Sequence, residues 1–139
     1  MKNCMVDVFI SHASKDKVKY VENLVLSIKS KGISVFYDTE SISWGDCIKE
    51  KIDEGLANCR LAIIVISKNY FGRKWTEYEL KTLLNRQNEE GKKLILPILY
   101  RISKKDFISH YPTLEDIKFI HSKSYRNSEI AELLLKKLK

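Results

Sequence analysis

Leu61-Ala-Ile-Ile-Val-Ile66 decides the fold of this chain. The run is continuously apolar and mostly β-branched, with no polar residue alternating through it. A strand wetted on one face alternates, whereas one covered by helices on both faces does not, so the run predicts a central parallel strand. Its flanks agree with that reading. Ser67 to Lys74 reads as a loop, and Trp75 to about Glu90 as a helix closed by Gly91. Upstream, Ile48, Ile52 and Leu56 recur on one face of a preceding helix.

Further out the same alternation continues. Val6 to Ile10 is a short apolar run that reads as the first strand, and Ser11-His-Ala-Ser-Lys-Asp16 as a loop and helix start. Val18, Val21, Leu24, Val25 and Ile28 then fall at helical spacing until Gly32 stops them. Ile33 to Tyr37 reads as a second strand and Asp38 to Gly45 as a polar loop. Leu94 to Ile98 is a fourth strand with Pro97 near its end. Ser103 to Tyr125 lacks a clear period but suggests a short edge strand around Phe119. Ile130, Leu133, Leu134 and Leu138 make a final amphipathic helix. No linker or repeat interrupts the pattern, which predicts one domain over 1–139. The fold class is α/β, a flavodoxin-like doubly wound parallel sheet of about five strands flanked by helices.

Composition narrows the function classes. With 139 residues, 44% hydrophobic and 31% charged, the chain suits one soluble globular core. No apolar run approaches a membrane span, and no signal peptide precedes the first strand, so a cytoplasmic location without membrane partners is expected. Cys4, Cys47 and Cys59 are odd in number and scattered, as befits reduced thiols. His12, His110 and His121 lack metal-ligand spacing, so no metal is expected. The net charge of +7 comes from dispersed lysines without an aromatic-interleaved patch, which argues against nucleic acid. The basic run Lys136-Lys137-Leu-Lys139 complements a helix C-terminus.

The chemistry concentrates in Trp75-Thr-Glu-Tyr-Glu79. Four residues apart, Trp75 and Glu79 project from one face of a helix's first turn. In open α/β sheets, ligands sit beyond the carboxyl ends of the strands, where such helix starts converge. There an indole can stack a flat cationic leaving group while a carboxylate stabilises positive charge growing on a sugar carbon. The plainer alternative makes Trp75 a core anchor and Glu79 a solvated residue. Glu77, two residues earlier than Glu79, faces elsewhere. Two common tenants of this fold fail on the residues. A dinucleotide-binding domain needs Gly-x-Gly-x-x-Gly after the first strand, where this chain has Ser11-His-Ala-Ser-Lys-Asp16. A phospho-acceptor receiver needs an acidic pair there and an aspartate after the third strand, but Ser11-His12 and Ser67 occupy those places.

Five ordered motifs carry a resemblance that covers nearly the whole chain. They are Asp7-Val-Phe-Ile-Ser-His-Ala-Ser-Lys-Asp16, Gly32-Ile-Ser-Val-Phe-Tyr-Asp38 with Gly45-Asp46, and Ala62-Ile-Ile-Val-Ile-Ser-Lys-Asn-Tyr70. Trp75-Thr-Glu-Tyr-Glu-Leu80 and Leu94-Ile-Leu-Pro-Ile98 with Pro112-Thr-Leu-Glu-Asp116 complete the set. Together they resemble the Toll/interleukin-1 receptor (TIR) domain, in its bacterial form. The resemblance implies one of two roles. Enzymatic members break the nicotinamide–ribose bond of NAD+, as hydrolase or cyclase, and others act only by self-association. The enzymatic members carry a glutamate at the end of Trp-x-x-x-Glu, a motif that silent members also keep, and Glu79 holds that place, which makes it the implied catalytic residue. NAD+ is then a substrate, and no cofactor is implied. A carboxylate beside the ribose stabilises an oxocarbenium-like state, as in glycosidases.

Other positions follow from the same resemblance. Ser11, His12, Ala13 and Ser14 correspond to the segment beside the dinucleotide, where helix-start N–H groups receive phosphates. Some members carry arginines where this chain has Ala13 and Ser14. Asp38 and Ser43 belong to the mobile BB loop of the family, and Trp44 stands near where other members have an aromatic, the place itself being Cys47 here. Trp75 is the implied nicotinamide platform. Partners implied are NAD+, further TIR domains in self-association that extends to filaments, and a downstream effector or fused domain. A role in bacterial antiviral defence or cell-death signalling is expected. Two alternatives stay open: a non-enzymatic interaction module, and a nucleoside or nucleotide N-glycosidase or ribosyltransferase using the same glutamate.

Overall fold

The computed structural model describes residues 6–37 and 42–139. Five strands form one parallel sheet in the order β2-β1-β3-β4-β5. They are β1 (Val6–Ser11), β2 (Val35–Phe36), β3 (Cys59–Ile66), β4 (Ile95–Leu99) and β5 (Ile120–His121). The helices are α1 (Glu22–Lys29), α2 (Ile48–Asn58), α3 (Lys74–Glu90), α4 (Lys104–His110) and α5 (Asn127–Leu138). The strand order reverses direction beside β1, which is the flavodoxin-like arrangement and opens a crevice at the carboxyl ends of β1 and β3.

β3 is central, and its side chains explain why its hydropathy does not alternate. Ile63 and Val65 face one core with Leu24, Ile28, Ile130 and Leu134 of α1 and α5. Ala62, Ile64 and Ile66 face a second core with Leu56, Leu80, Leu83 and Phe107 of α2, α3 and α4. Both faces are dry, so both sets of positions must be apolar. α2 lies close to the sheet because Gly55 has no side chain. A Cβ there would stand 3.2 Å from the rings of Phe9 and Phe36, which stack on each other.

Pro97 lies inside β4, opposite Ile64. Tyr100 donates its N–H to Ile66 and Leu94 accepts from Ala62, so even-numbered residues of β4 face β3. The missing N–H of Pro97 therefore points the other way, toward β5, whose pairing begins only at Ile98. A proline costs no ladder bond at that position.

Several boundaries differ from the sequence reading. The expected second strand, 33–37, shrinks to the pair Val35–Phe36, although Ile33 and Tyr37 are still buried. The first helix does not run from Val18. Ser14–Asp16 form a 3-10 turn and Lys17–Val21 a π turn before α1 begins, and Val18 is left 73% exposed. The widened turn rotates it off the apolar face that Val21, Leu24, Val25 and Ile28 keep. Ile48 and Leu133 likewise sit at the exposed margin of their stripes. The segment after Ser103 contains α4, whose start is capped by the Ser103 side chain accepting the Asp106 N–H at 3.2 Å. The edge strand falls one residue beyond Phe119.

Candidate active site

The crevice beyond β1 and β3 holds a chain of buried hydroxyls ending on a carboxylate. Ser11 closes β1 and points its hydroxyl at Glu79, donating to Oε1 at 2.6 Å. The hydroxyl of Tyr70 lies 2.7 Å from Ser11 Oγ. Thr76, on the first turn of α3, donates its hydroxyl to the Tyr70 carbonyl at 2.6 Å and offers its own carbonyl to the Tyr70 hydroxyl at 3.3 Å. The sequence builds this locally. β3 ends at Ile66, the chain turns through Ser67 to Arg73, and α3 brings Thr76 and Glu79, three apart, onto its inward face beside Leu80 and Leu83.

Glu79 is only 9% exposed. Burial pushes its carboxyl up to about 7, against the bond from Ser11, which pulls it down. Ionisation thus falls close to neutral pH. Burial also carries the Tyr70 phenol well above its ordinary range, so Tyr70 stays protonated. Among the described residues, Glu79 Oε1 has Ser11 as its hydrogen-bond donor, and Oε2 is not a buried, unpartnered atom.

A second buried carboxylate lies at the same sheet edge. Asp16 accepts from the Ser67 hydroxyl on Oδ2 and from the Asn69 side-chain amide on Oδ1 at 3.0 Å. Asn69 also donates its backbone N–H to Ser67 Oγ at 3.1 Å. This ties the 3-10 turn after β1 to the loop after β3.

The other predicted positions are distributed unevenly. Ala13 is buried and Ser14 is exposed at the start of the 3-10 turn. His12 is partly buried; its Nδ1 lies 3.3 Å from the Ile10 carbonyl and its ring stacks on Tyr37. Ser43 is exposed and exchanges two hydrogen bonds with Asp46, its N–H going to the carboxylate and its carbonyl taking the Asp46 N–H. Trp44 stands fully in solvent at 105% exposure, beside Gly45 in the left-handed region at φ 98°. Asp38 lies outside the described residues.

The groove that Trp75 lines does not include Glu79. Trp75 packs half-buried against the second core, edge-on to Tyr78 with ring centroids 5.8 Å apart, and Lys74 Nζ lies over its ring at 5.1 Å. It opens on this groove of about 520 Å³ with Lys49, Lys74, Glu77, Tyr78 and Lys81 between α2 and α3. Glu77 is not idle either: it accepts the Tyr111 hydroxyl at 2.5 Å and the Gly72 N–H at 3.0 Å. Sequence reasoning gave no role to Tyr70, Thr76, Asp16, Ser67 or Asn69. The signal for the first was present, since a tyrosine after an apolar strand must find a partner when buried.

Among the described residues, no group of three or more His, Cys, Asp or Glu could hold a metal ion, and no helix is long and apolar enough to cross a membrane. Comparison with known proteins bears on the family and the fold. A family model described as TIR domain matches residues 8–135. The 2' cyclic ADP-D-ribose synthase AbTIR of Acinetobacter baumannii is 38% identical over 128 residues, covering 92% of this chain and 47% of that protein. The NAD(+) hydrolase TcpC of Escherichia coli is 35% identical over 132 residues, covering 95% of this chain and 43% of that protein. The chain therefore spans less than half the length of these curated relatives. Among solved structures, the TIR domain of the Toll-related receptor TRR-2 from Hydra magnipapillata superposes with a TM-score of 0.75. It covers 96% of this chain and 98% of that one at 22% identity, a likeness of fold alone.

Proposed function

The chain belongs to the TIR domain family, and from that premise we propose that it cleaves the nicotinamide–ribose bond of NAD+ with Glu79 as the catalytic carboxylate. The observation that carries the proposal is a buried glutamate at the carboxyl edge of a parallel sheet, held by a hydroxyl and ionising near neutrality. Relatives named as an NAD(+) hydrolase and a 2' cyclic ADP-D-ribose synthase support it.

The chemistry follows from the charge. When the bond from the ribose carbon to the pyridinium nitrogen breaks, its electron pair leaves with neutral nicotinamide and positive charge moves to the ribose. An ionised, prepositioned Glu79 stabilises that charge more than water does once the crevice is closed off from solvent. A water or a ribose hydroxyl then attacks the sugar carbon, giving hydrolysis or cyclisation, and gives up a proton. A carboxyl ionising near pH 7 is well matched to take that proton and return it to solvent. Ser11, His12, Ala13 and Ser14 belong to the substrate-binding part of the proposal, Ser11 through its bond to Glu79. Ser43 and Trp44, together with Asp38 as expected from the sequence, belong to the substrate-binding part as well. Trp75 enters as a platform only if the substrate bridges from Glu79 to the groove on α3.

Self-association is part of the same proposal. A crevice open to water weakens each electrostatic contact within it, and a second TIR domain packed on the 38–45 loop excludes that water. Depletion of NAD+ or release of a signalling product then serves defence or cell death. The decisive experiment incubates concentrated protein with NAD+ and follows nicotinamide release, with mass identification of the second product. Release of nicotinamide is expected; none at any protein concentration would leave the chain an interaction module.

A further inference from the structure

We propose that Tyr70 is a positioning residue for Glu79 that acts through Ser11. The inference rests on the functional reading of Glu79 but is tested separately from it. Each hydroxyl in the cluster has one hydrogen to give. Ser11 Oγ lies 2.6 Å from Glu79 Oε1 and 2.7 Å from the Tyr70 hydroxyl, so its hydrogen has two short neighbours to choose between. Tyr70 settles the choice by donating to Ser11 Oγ, which leaves the Ser11 hydrogen on the carboxylate. The competing acceptor for Tyr70, the Thr76 carbonyl, stands farther away at 3.3 Å.

The ring cannot swing out of this arrangement. Tyr70 is fully buried in the second core, and its backbone carbonyl is pinned by the Thr76 hydroxyl at 2.6 Å. Its N–H is also held, by the Ser67 carbonyl at 3.1 Å. A hydroxyl that itself accepts a hydrogen bond is a stronger donor, because consecutive bonds polarise one another. Tyr70 thus strengthens the hydrogen bond that favours the ionised form of Glu79.

Among the described residues, few polar groups bond toward the carboxylate or its partners. From β1 comes Ser11, with His12 next to it but bonded back toward the Ile10 carbonyl. From the turn after β3 comes Tyr70, and behind it Glu77 and Tyr111 act on the Tyr70 phenol. From α3 itself comes Thr76. Glu77 points to Tyr111 and Gly72, and Asp16 to Ser67 and Asn69, so neither carboxylate is spent on Glu79.

The test reads Glu79 directly, without NAD+. Protein labelled with carbon-13 at glutamate side-chain carboxyls is titrated by NMR, and the Glu79 signal is assigned by its absence in Glu79→Gln. Ser11→Ala, which deletes the donor, is expected to raise the Glu79 midpoint by about one pH unit, the scale of one hydrogen bond to a charged group. Tyr70→Phe is expected to raise it by about half as much, as loss of polarisation along the chain would. In the Ser11→Ala background, Tyr70→Phe is expected to change nothing further. A midpoint unmoved by Tyr70→Phe overturns the proposal, and so does a shift that adds fully to that of Ser11→Ala. Should Tyr70→Phe fail to fold, 3-fluorotyrosine at position 70 keeps the ring and strengthens the donor. It is expected to lower the midpoint, and a rise or no movement overturns the proposal equally. If these shifts appear but no variant or parent releases nicotinamide, the catalytic reading fails while the coupling stands.

Discussion

Asp16 and Glu79 are both buried carboxylates at one edge of the sheet, 3% and 9% exposed, and the protein treats them in opposite ways. Asp16 has a donor on each oxygen, the Ser67 hydroxyl and the Asn69 amide. Among the described residues, Glu79 has one side-chain donor, the Ser11 hydroxyl on Oε1. Burial without full satisfaction is costly, so Glu79 holds a proton up to about pH 7. A carboxylate satisfied on both oxygens is a tie between two segments. One left half-satisfied at an open edge is available to something else. The difference between structure and chemistry here lies in how many donors each carboxylate has been given.

The largest test of that contrast is Glu79→Gln. The amide keeps size and hydrogen bonding but removes the charge, so nicotinamide release is expected to fall about a hundredfold or more, as on losing one preorganised electrostatic contact. Stability moves the other way. A carboxyl raised from 4.5 to about 7 in the fold binds more protons than in the unfolded chain. Its stabilising contribution is complete below pH 4.5 and is lost as pH rises through 7. Ionisation therefore costs the parent protein about 3 kcal/mol by pH 8, a cost the glutamine does not bear. Thermal midpoints at pH 8 are expected to be higher for Glu79→Gln, with the gap closing near pH 5. A variant that is no more stable at pH 8, or that retains normal turnover, would place Glu79 alongside Asp16.

Trp44 tests whether the open side of Glu79 is completed by a neighbour. An indole fully in solvent, next to a glycine in the left-handed region, is a common interface anchor. Specific activity is expected to rise with protein concentration. Trp44→Ala should move the midpoint of that rise about 30-fold upward, the equivalent of a hot-spot loss of about 2 kcal/mol. Activity that stays constant across dilutions which change the oligomeric state would mean that Glu79 works in a single domain.

Asp16→Asn probes the other half of the contrast. An amide nitrogen now meets a side chain that also donates, so at least one charge-assisted bond is lost, at about 2 kcal/mol. For a domain of this size the thermal midpoint should drop by roughly 8 °C. Turnover per folded molecule should stay close to the parent value. A large kinetic loss at an unchanged midpoint would move Asp16 into the reaction.

How far the sequence discloses this arrangement depends on the range of the cause. β3 is legible because two dry faces demand an unbroken apolar run, and α3 because its stripe and Gly91 are local signals. Gly91 does cap α3, with φ 68°. β2 and β5 are each two residues long, shorter than any period can register. The π turn before α1 is invisible for a related reason: Val18 carries the right chemistry at the right spacing, and only backbone geometry turns it outward. At the site, Glu79 stands out by its place after Trp75. Its partners do not, because Ser11 lies 68 residues away in sequence and Tyr70 reaches it only through Ser11. Trp75 shows the same limit from the other side: spacing puts it one helical turn from Glu79, but only packing decides that its ring meets Tyr78 and the groove on α3.

Glu77 gives the smallest effect and the sharpest control. It stands on α3 two residues before Glu79, and in sequence it looks like a solvated residue that can be changed freely. In the fold it straps the turn after β3 to the segment after α4, taking the Tyr111 hydroxyl and the Gly72 N–H on one oxygen. The Tyr111 phenol is held well above its usual range by burial first and by this bond second, so the contact persists through alkaline pH. Glutamine keeps an acceptor for both donors and loses only the charge assistance, so Glu77→Gln should cost about 1 kcal/mol. In a domain of this size that lowers the thermal midpoint by roughly 4 °C. Nicotinamide release should be nearly unchanged. Glu77→Ala strands both donors and should lower the midpoint further while turnover per folded molecule still holds. If Glu77→Gln instead abolished release as fully as Glu79→Gln, the reacting carbon would have to be met on the outer face of α3. The groove lined by Trp75 and the lysines, rather than the Ser11 crevice, would then be the seat of the chemistry.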